Sequence, residues 1–274
     1  MILVLRDKAE LNESTRKLVF TVLAVVCGFG TLTLMALRPS VDADGEENEV
    51  NLQKPISVIP KQMLRDSMRM TKDMLLLSPL FMFIGLHVSF YSEVYSSCIA
   101  FTKSLGTNTN QLLIYMGILA GVGEATGSLL CTVLDKRSER SNSKCIGLSR
   151  STVIIISFFI NIVAYGLIFV NLPNDSPFGD TYSKSIIKPN QYMAIFCGFL
   201  LGLGDSGFTM QIYNIIGVKY SNNSTSVMSL FMFLQATSAA INIMYSNQFG
   251  IYIQLIILAI VMTIATLSFL IVDK

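Results

Sequence analysis

Two carboxylates lie where so apolar a chain has least tolerance for them. Asp205 interrupts FCGFLLGLGDSGFTMQIYNIIG, and Glu124 interrupts MGILAGVGEATGSLL. A charge at the centre of a bilayer costs roughly 2.5–3.5 kcal/mol on insertion scales, so it persists only where it faces protein or a water-filled cavity. At that depth each carboxylate must be paired or protonated. The chemistry open to such groups is proton or ion handling, or the polar heart of a helix contact. Both acids share one spacing. Gly117, Gly121, Glu124 and Ser128 fall at i, i+4, i+7 and i+11, and Gly198, Gly202, Asp205 and Thr209 repeat the pattern. On a helix each set is one face, and small residues there let a neighbouring helix approach closely. The glycines alone read as packing seams; the acids on them turn the balance toward a polar interior.

Other polar groups extend the candidate interior. His87 is mid-run, where a hydrogen-bonded structural histidine is the simpler role than a proton relay. Glu93 lies near the end of the same run, where it can reach interfacial water. Six residues separate the two, about 120° around a helix, so they do not share a face. Gln211 and Asn214 follow Asp205 as an extension of a polar track. No lysine or arginine is available mid-run, so the acids must find partners such as Tyr213, Gln235 or Asn242, or lie against a part of the protein beyond this chain. A single histidine excludes a multi-histidine metal site. The cysteines Cys27, Cys98, Cys131, Cys145 and Cys197 have no CxxC spacing. There is no phosphate-binding loop, nucleophile elbow or HExxH motif. No metal, cofactor or catalytic residue is expected, and the chain reads as a non-enzyme.

The elements that must position these groups are membrane helices. The chain is 52% hydrophobic and 14% charged, against about 25% charged in ordinary soluble domains. Apolar runs near the length needed to cross hydrocarbon, about 20 residues, occur at 18–37, 74–97, 112–134, 151–171, 192–214, 227–246 and 250–272. In lipid every backbone polar group must be satisfied internally, so runs of this length are helices. The expectation is an all-α integral membrane protein with seven transmembrane helices, bathed in the lipid bilayer.

Charge sets the orientation. Basic residues gather in the first and third connections, the latter carrying Lys136, Arg137, Arg140, Lys144 and Arg150, and are sparse in the alternate ones. Lysine and arginine accumulate on the cytoplasmic side, which puts these connections inside and the N-terminus outside. Arg6, Lys8, Arg16 and Lys17 pull the other way and are outvoted. Three segments follow: an extracytoplasmic N-terminal segment with the first span (1–37), a cytoplasmic linker (38–73) and a six-helix unit (74–274). Within the linker, 42–49 is acidic and apolar-poor. Residues 61–72, with Arg65, Arg69 and Lys72 at i, i+4 and i+7, read as an amphipathic surface helix or as a basic helix end leading into the next span. Asn12 and Asn174 begin glycosylation acceptor patterns on the outer side. A net charge of +2 gives no footing for nucleic acid.

The segments LLLSPLFMFIGLHVSFYSEVYSSCIAF, MGILAGVGEATGSLL and above all GFLLGLGDSGFTMQ resemble the Unc-ninety-three-like, or ion-channel regulatory, branch of the major facilitator superfamily. The likeness is closest to its major-facilitator-domain-containing members and covers 74–274, with 18–37 matching the span before. It implies a twelve-span fold of two six-helix halves, of which this chain holds spans six to twelve and lacks the N-terminal half. It places His87, Glu93, Asp205 and Gln211 near a central cavity, with Glu124 beside it. The run Asp135, Lys136, Arg137, Ser138, Glu139, Arg140 sits where the superfamily carries its basic cytoplasmic loop motif, although Cys131 and Ser138 stand where that motif has glycines. The functions implied are a regulator or trafficking partner of channels or receptors, or a secondary transporter, proton-coupled through Asp205 or Glu124.

Overall fold

The six later membrane-length apolar runs become helices along nearly their whole length. The computed structural model describes residue 25 and residues 72–106, 109–140, 149–221 and 224–273, with side chains left out at 72, 73, 110 and 134–140. The first expected span, the expected surface helix up to 71 and the acceptor Asn12 lie outside the described residues. Six segments are long and apolar enough to cross a membrane: Met74–Phe101, Gln111–Val133, Arg150–Asn171, Gln191–Lys219, Ser224–Ser246 and Ile251–Val272. They coincide with the six later apolar runs. The protein is all-α in its described part, with one isolated β-bridge between Thr102 and Thr181.

The first of these spans is built from α1 (Lys72–Ser89), a π-helical turn (Phe90–Tyr95) and α2 (Ser96–Phe101). Pro79 lies inside α1 and cannot donate to the carbonyl four residues back. Ser78 Oγ donates to that same Leu75 carbonyl at 2.7 Å, which replaces the lost bond where water is scarce. The remaining helices are α3 (Thr109–Arg140), α4 (Arg150–Asn171), α5 (Gln191–Lys219), α6 (Ser224–Ser246) and α7 (Ile251–Val272). The tightest pairing is α3 with α5, followed by α4 with α5, α1 with α6 and α1 with α7. Thus α5 runs between α3 and α4, while α1 packs on α6 and α7. Phe81 meets Phe231 and Phe83 meets Phe208 edge to face, at centroid distances of 5.2 and 5.1 Å.

Asparagines finish the helix ends. Asn190 Oδ1 accepts from the backbone N–H of Tyr192 and Met193 at the start of α5. Its own N–H donates to Asn171 Oδ1 at 2.7 Å, tying the end of α4 to the start of α5. Asn174 does the same for α7: its carbonyl accepts from Ile251 N–H and its side chain from Tyr252 N–H. Such caps satisfy amide groups that the helix itself leaves orphaned. Next to these caps, Lys103 pairs with Asp180 at 2.9 Å, and Thr181 N–H donates to the Phe101 carbonyl at 2.9 Å. At the opposite end Ser151 Oγ donates to Asp273 Oδ2 at 2.5 Å.

Candidate functional site

The close approach of α3 and α5 runs along a seam different from the expected one. Gly198 and Gly202 do face α3: a methyl on Gly202 would overlap the Ala120 carbonyl, and one on Gly198 would press on Met116. On α3 the matching positions are Gly123 and Gly127, whose added methyls would strike the Phe199 carbonyl and Ser206 Oγ. Gly117 and Gly121 meet nothing within 4 Å and are exposed. The contact therefore uses Met116, Ala120, Gly123 and Gly127, one residue and about 100° around from the anticipated stripe. Both phases of MGILAGVGEATG carry small residues, and the helix buries the one that accommodates α5. Glu124 consequently stands beside the seam rather than in it, half-buried at its edge.

Asp205 is three residues past Gly202, about 60° around α5 from the α3 seam. It is 7% exposed. Its Oδ1 is enclosed and has no hydrogen-bond partner. Asp205 and Glu124 lie within each other's electrostatic reach. Tyr91, from the π-helical turn, donates its hydroxyl hydrogen to Glu124 Oε1 at 2.5 Å. Thr209, one turn along α5, turns its hydroxyl toward Asp205.

Next to these acids His87 is fully buried and joins three helices. Its Nδ1 is 2.8 Å from Tyr165 Oη on α4, and its Nε2 is 3.3 Å from the Leu201 carbonyl on α5. Phe83 stacks on the imidazole, and Tyr91 and Tyr165 meet it edge-on. Both ring nitrogens are engaged, which matches a structural histidine.

The other expected site residues lie apart. Glu93 is exposed on the π-helical turn. Gln211 is buried with its Oε1 unpartnered, and helical phase puts it about 120° around α5 from Asp205. Asn214 is about 180° around and half-buried. Neither continues the Asp205 face. Asp135, Lys136, Arg137 and Arg140 are in the last turns of α3, with side chains outside the description. Asn174 is exposed but serves as the α7 cap, and the hydroxyl-bearing Ser176 of its acceptor pattern is fully buried. Among the described residues no three His, Cys, Asp or Glu side chains converge as a metal set.

Four polar residues absent from the sequence expectations belong to this interior: Tyr91, Ser157, Asn161 and Tyr165. Ser157, Asn161 and Tyr165 fall at i, i+4 and i+8 on α4, a polar stripe legible within SFFINIVAY. Ser157 and Asn161 fit against Gly207 and Gly204 of α5. Asn161 is 0% exposed with neither side-chain polar atom paired. Tyr91 carries no such spacing signal, because the π-helical turn sets its direction.

The chain matches the model of the family described as ion channel regulatory protein UNC-93 over residues 1–270. It is 31% identical over 293 residues to the UNC93-like protein MFSD11 of Xenopus tropicalis, covering 100% of this chain and 63% of that protein. To the UNC93-like protein MFSD11 of Xenopus laevis it is 31% identical over 286 residues, covering 97% and 62%. The chain thus spans less than two thirds of the length of these relatives. No solved structure matches it.

Proposed function

Because the chain belongs to the UNC-93 family of ion channel regulatory proteins, a branch of multi-pass membrane proteins, we propose that it is a non-enzymatic regulator that binds another membrane protein, such as a channel subunit, through its helices. The outward face of α3 supports this reading. Gly117 and Gly121 are open there, flanked by exposed Ile114, Ile118 and Val122. Two small residues four apart on a lipid-length helix are a ready seat for another helix. The span is only 28% buried, so this face is available within the described bundle. Co-expression with a defined ion-channel subunit tests the reading. The subunit is expected to co-purify with the full-length protein and to be lost with Gly117→Leu and Gly121→Leu. A channel whose current and surface level ignore the protein would remove it.

One observation favours a second reading, secondary transport. Asp205 and Glu124 are two acids inside spans, one enclosed and one half-exposed, and ionisable groups inside a span mark ion or substrate paths. Solute uptake into proteoliposomes that collapses in Asp205→Asn would support it. A full-length protein that moves neither solute nor protons would exclude it.

A further inference from the structure

We propose that the connection between α4 and α5 is an interfacial anchor, with Tyr182 and Ile186 seated in the headgroup layer of the bilayer and Lys184 and Lys188 paired with phospholipid phosphates. Its depth is set by backbone bonds to the ends of two spans. Thr181 N–H donates to the Phe101 carbonyl at 2.9 Å, and Lys103 N–H donates to the Thr181 carbonyl at 3.1 Å. Further along, Ile187 N–H donates to the Val170 carbonyl at 3.2 Å. Residues 182–186 are therefore suspended between the end of α2 and the last turn of α4. The span Met74–Phe101 has 28 residues, about 42 Å at 1.5 Å per residue, against about 30 Å of hydrocarbon. Arg150–Asn171 has 22 residues, about 33 Å. Both are long enough to end beyond the hydrocarbon, among the headgroups, and the connection is held at that level with them.

The second observation is which side chains this segment leaves outside. Burial alternates along it: Thr181 is buried and Ser183 and Ser185 are half-buried, whereas Tyr182, Lys184 and Ile186 are exposed. Tyr182 is 80% exposed and Ile186 61%. Single surface apolars are ordinary. Here they recur on one side of a segment fixed at headgroup depth, and Tyr192 is exposed at the adjoining start of α5. Tyrosine suits that layer, because its ring is apolar and its hydroxyl reaches water.

The third is charge. The acids of the connection are engaged within the fold: Asp180 pairs with Lys103 at 2.9 Å, and Asp175 accepts from Ser183 Oγ at 2.7 Å. Lys184 and Lys188 are exposed and enter no salt bridge among the described residues. A lysine stem lies along apolar surface while its ammonium reaches a polar layer. An acidic soluble partner would match the lysines but not the apolar residues between them. Headgroups over acyl chains match both.

The anchor does not depend on whether a channel subunit binds α3, so either reading can fail without the other. The full-length protein is placed in phosphatidylcholine nanodiscs with an environment-sensitive fluorescent amino acid at position 182 or 186. Quenching is compared between lipids bearing a nitroxide near the headgroup, lipids bearing it near the chain end, and iodide in the water. Ile260, exposed on α7, serves as the deep reference. The expected result is strongest quenching by the shallow nitroxide at 182 and 186, with weak iodide quenching, while 260 answers to the deep one. Shallow quenching should fall when Lys184→Glu and Lys188→Glu are combined and persist when both lysines become arginine. If the charge-reversed protein does not fold, raised salt, which screens exposed charges, takes its place and should lower the shallow quenching of the wild type. Iodide quenching at 182 and 186 without quenching by either lipid would overturn the proposal and leave the surface to a soluble partner. Shallow quenching that ignores both charge reversal and salt would overturn the pairing with phosphates.

Discussion

Tyr91, carried by a π-helical turn, donates its hydroxyl hydrogen to Glu124 Oε1 on α3 at 2.5 Å. The bond links the irregular part of the first described span to the acid at the edge of the tightest helix pair. A π-helical turn widens the helix by one residue and redirects the side chains that follow. Here it presents Tyr91 to Glu124 while Glu93, two positions on, is exposed. Helix irregularity and carboxylate placement are therefore one feature.

Removing that hydroxyl should be felt. Hydrogen bonds to charged groups contribute about 1.5–3 kcal/mol, and half-burial of Glu124 puts this one toward the lower figure. Tyr91→Phe is expected to lower the unfolding midpoint below that of the wild type. Thermal melts of the two proteins in detergent check this. Equal midpoints would mean that Tyr91 only fills space.

The phase of the α3–α5 seam makes a sharper contrast. Gly202→Val puts methyls against the Ala120 carbonyl, and overpacking of this kind costs about 1–3 kcal/mol. Gly123→Val should do the same against Phe199. Gly121→Val meets open space within the described bundle and should leave its stability unchanged. The ranking is read from unfolding midpoints, and Gly121→Val destabilising the bundle more than Gly123→Val would reverse the seam assignment.

The caps give a third test. Asn190→Ala removes the acceptor for Tyr192 and Met193, and loss of an N-cap costs about 1 kcal/mol. Asn174→Gln should weaken the start of α7 even in cells that add no glycans, because Asn174 Oδ1 holds Tyr252 N–H. Amide hydrogen exchange in the first turns of α5 and α7 should rise locally. Unchanged exchange at both ends would show the caps to be dispensable.

Much of this was legible in the chain because length and hydropathy alone dictate helices in lipid. The six later apolar runs map onto the six membrane-length helices, and Asp205 is as buried as an acid in GLGDSG should be. Phase was not legible. Gly117, Gly121 and Glu124 share a face, but so do Ala120, Gly123 and Gly127, and only the neighbour chooses between them. The π-helical turn was also hidden, since FYSEVY has no residue that demands it. With it hidden, Tyr91 could not be assigned to Glu124. The Ser157, Asn161 and Tyr165 stripe is present in the spacing, but uncharged residues at that interval do not by themselves distinguish a polar interior from ordinary helix packing.

Partner binding through the open face of α3 is the central claim, and site-specific photocrosslinking in membranes tests it most directly. A photoreactive residue is placed at position 117 or 121 of the full-length protein co-expressed with an ion-channel subunit. Control positions are Ile155 and Phe159, exposed on α4. The account predicts a channel-containing adduct from 117 and 121 and none from 155 or 159. Adducts of equal yield from all four positions, or channel adducts from α4 alone, would contradict it.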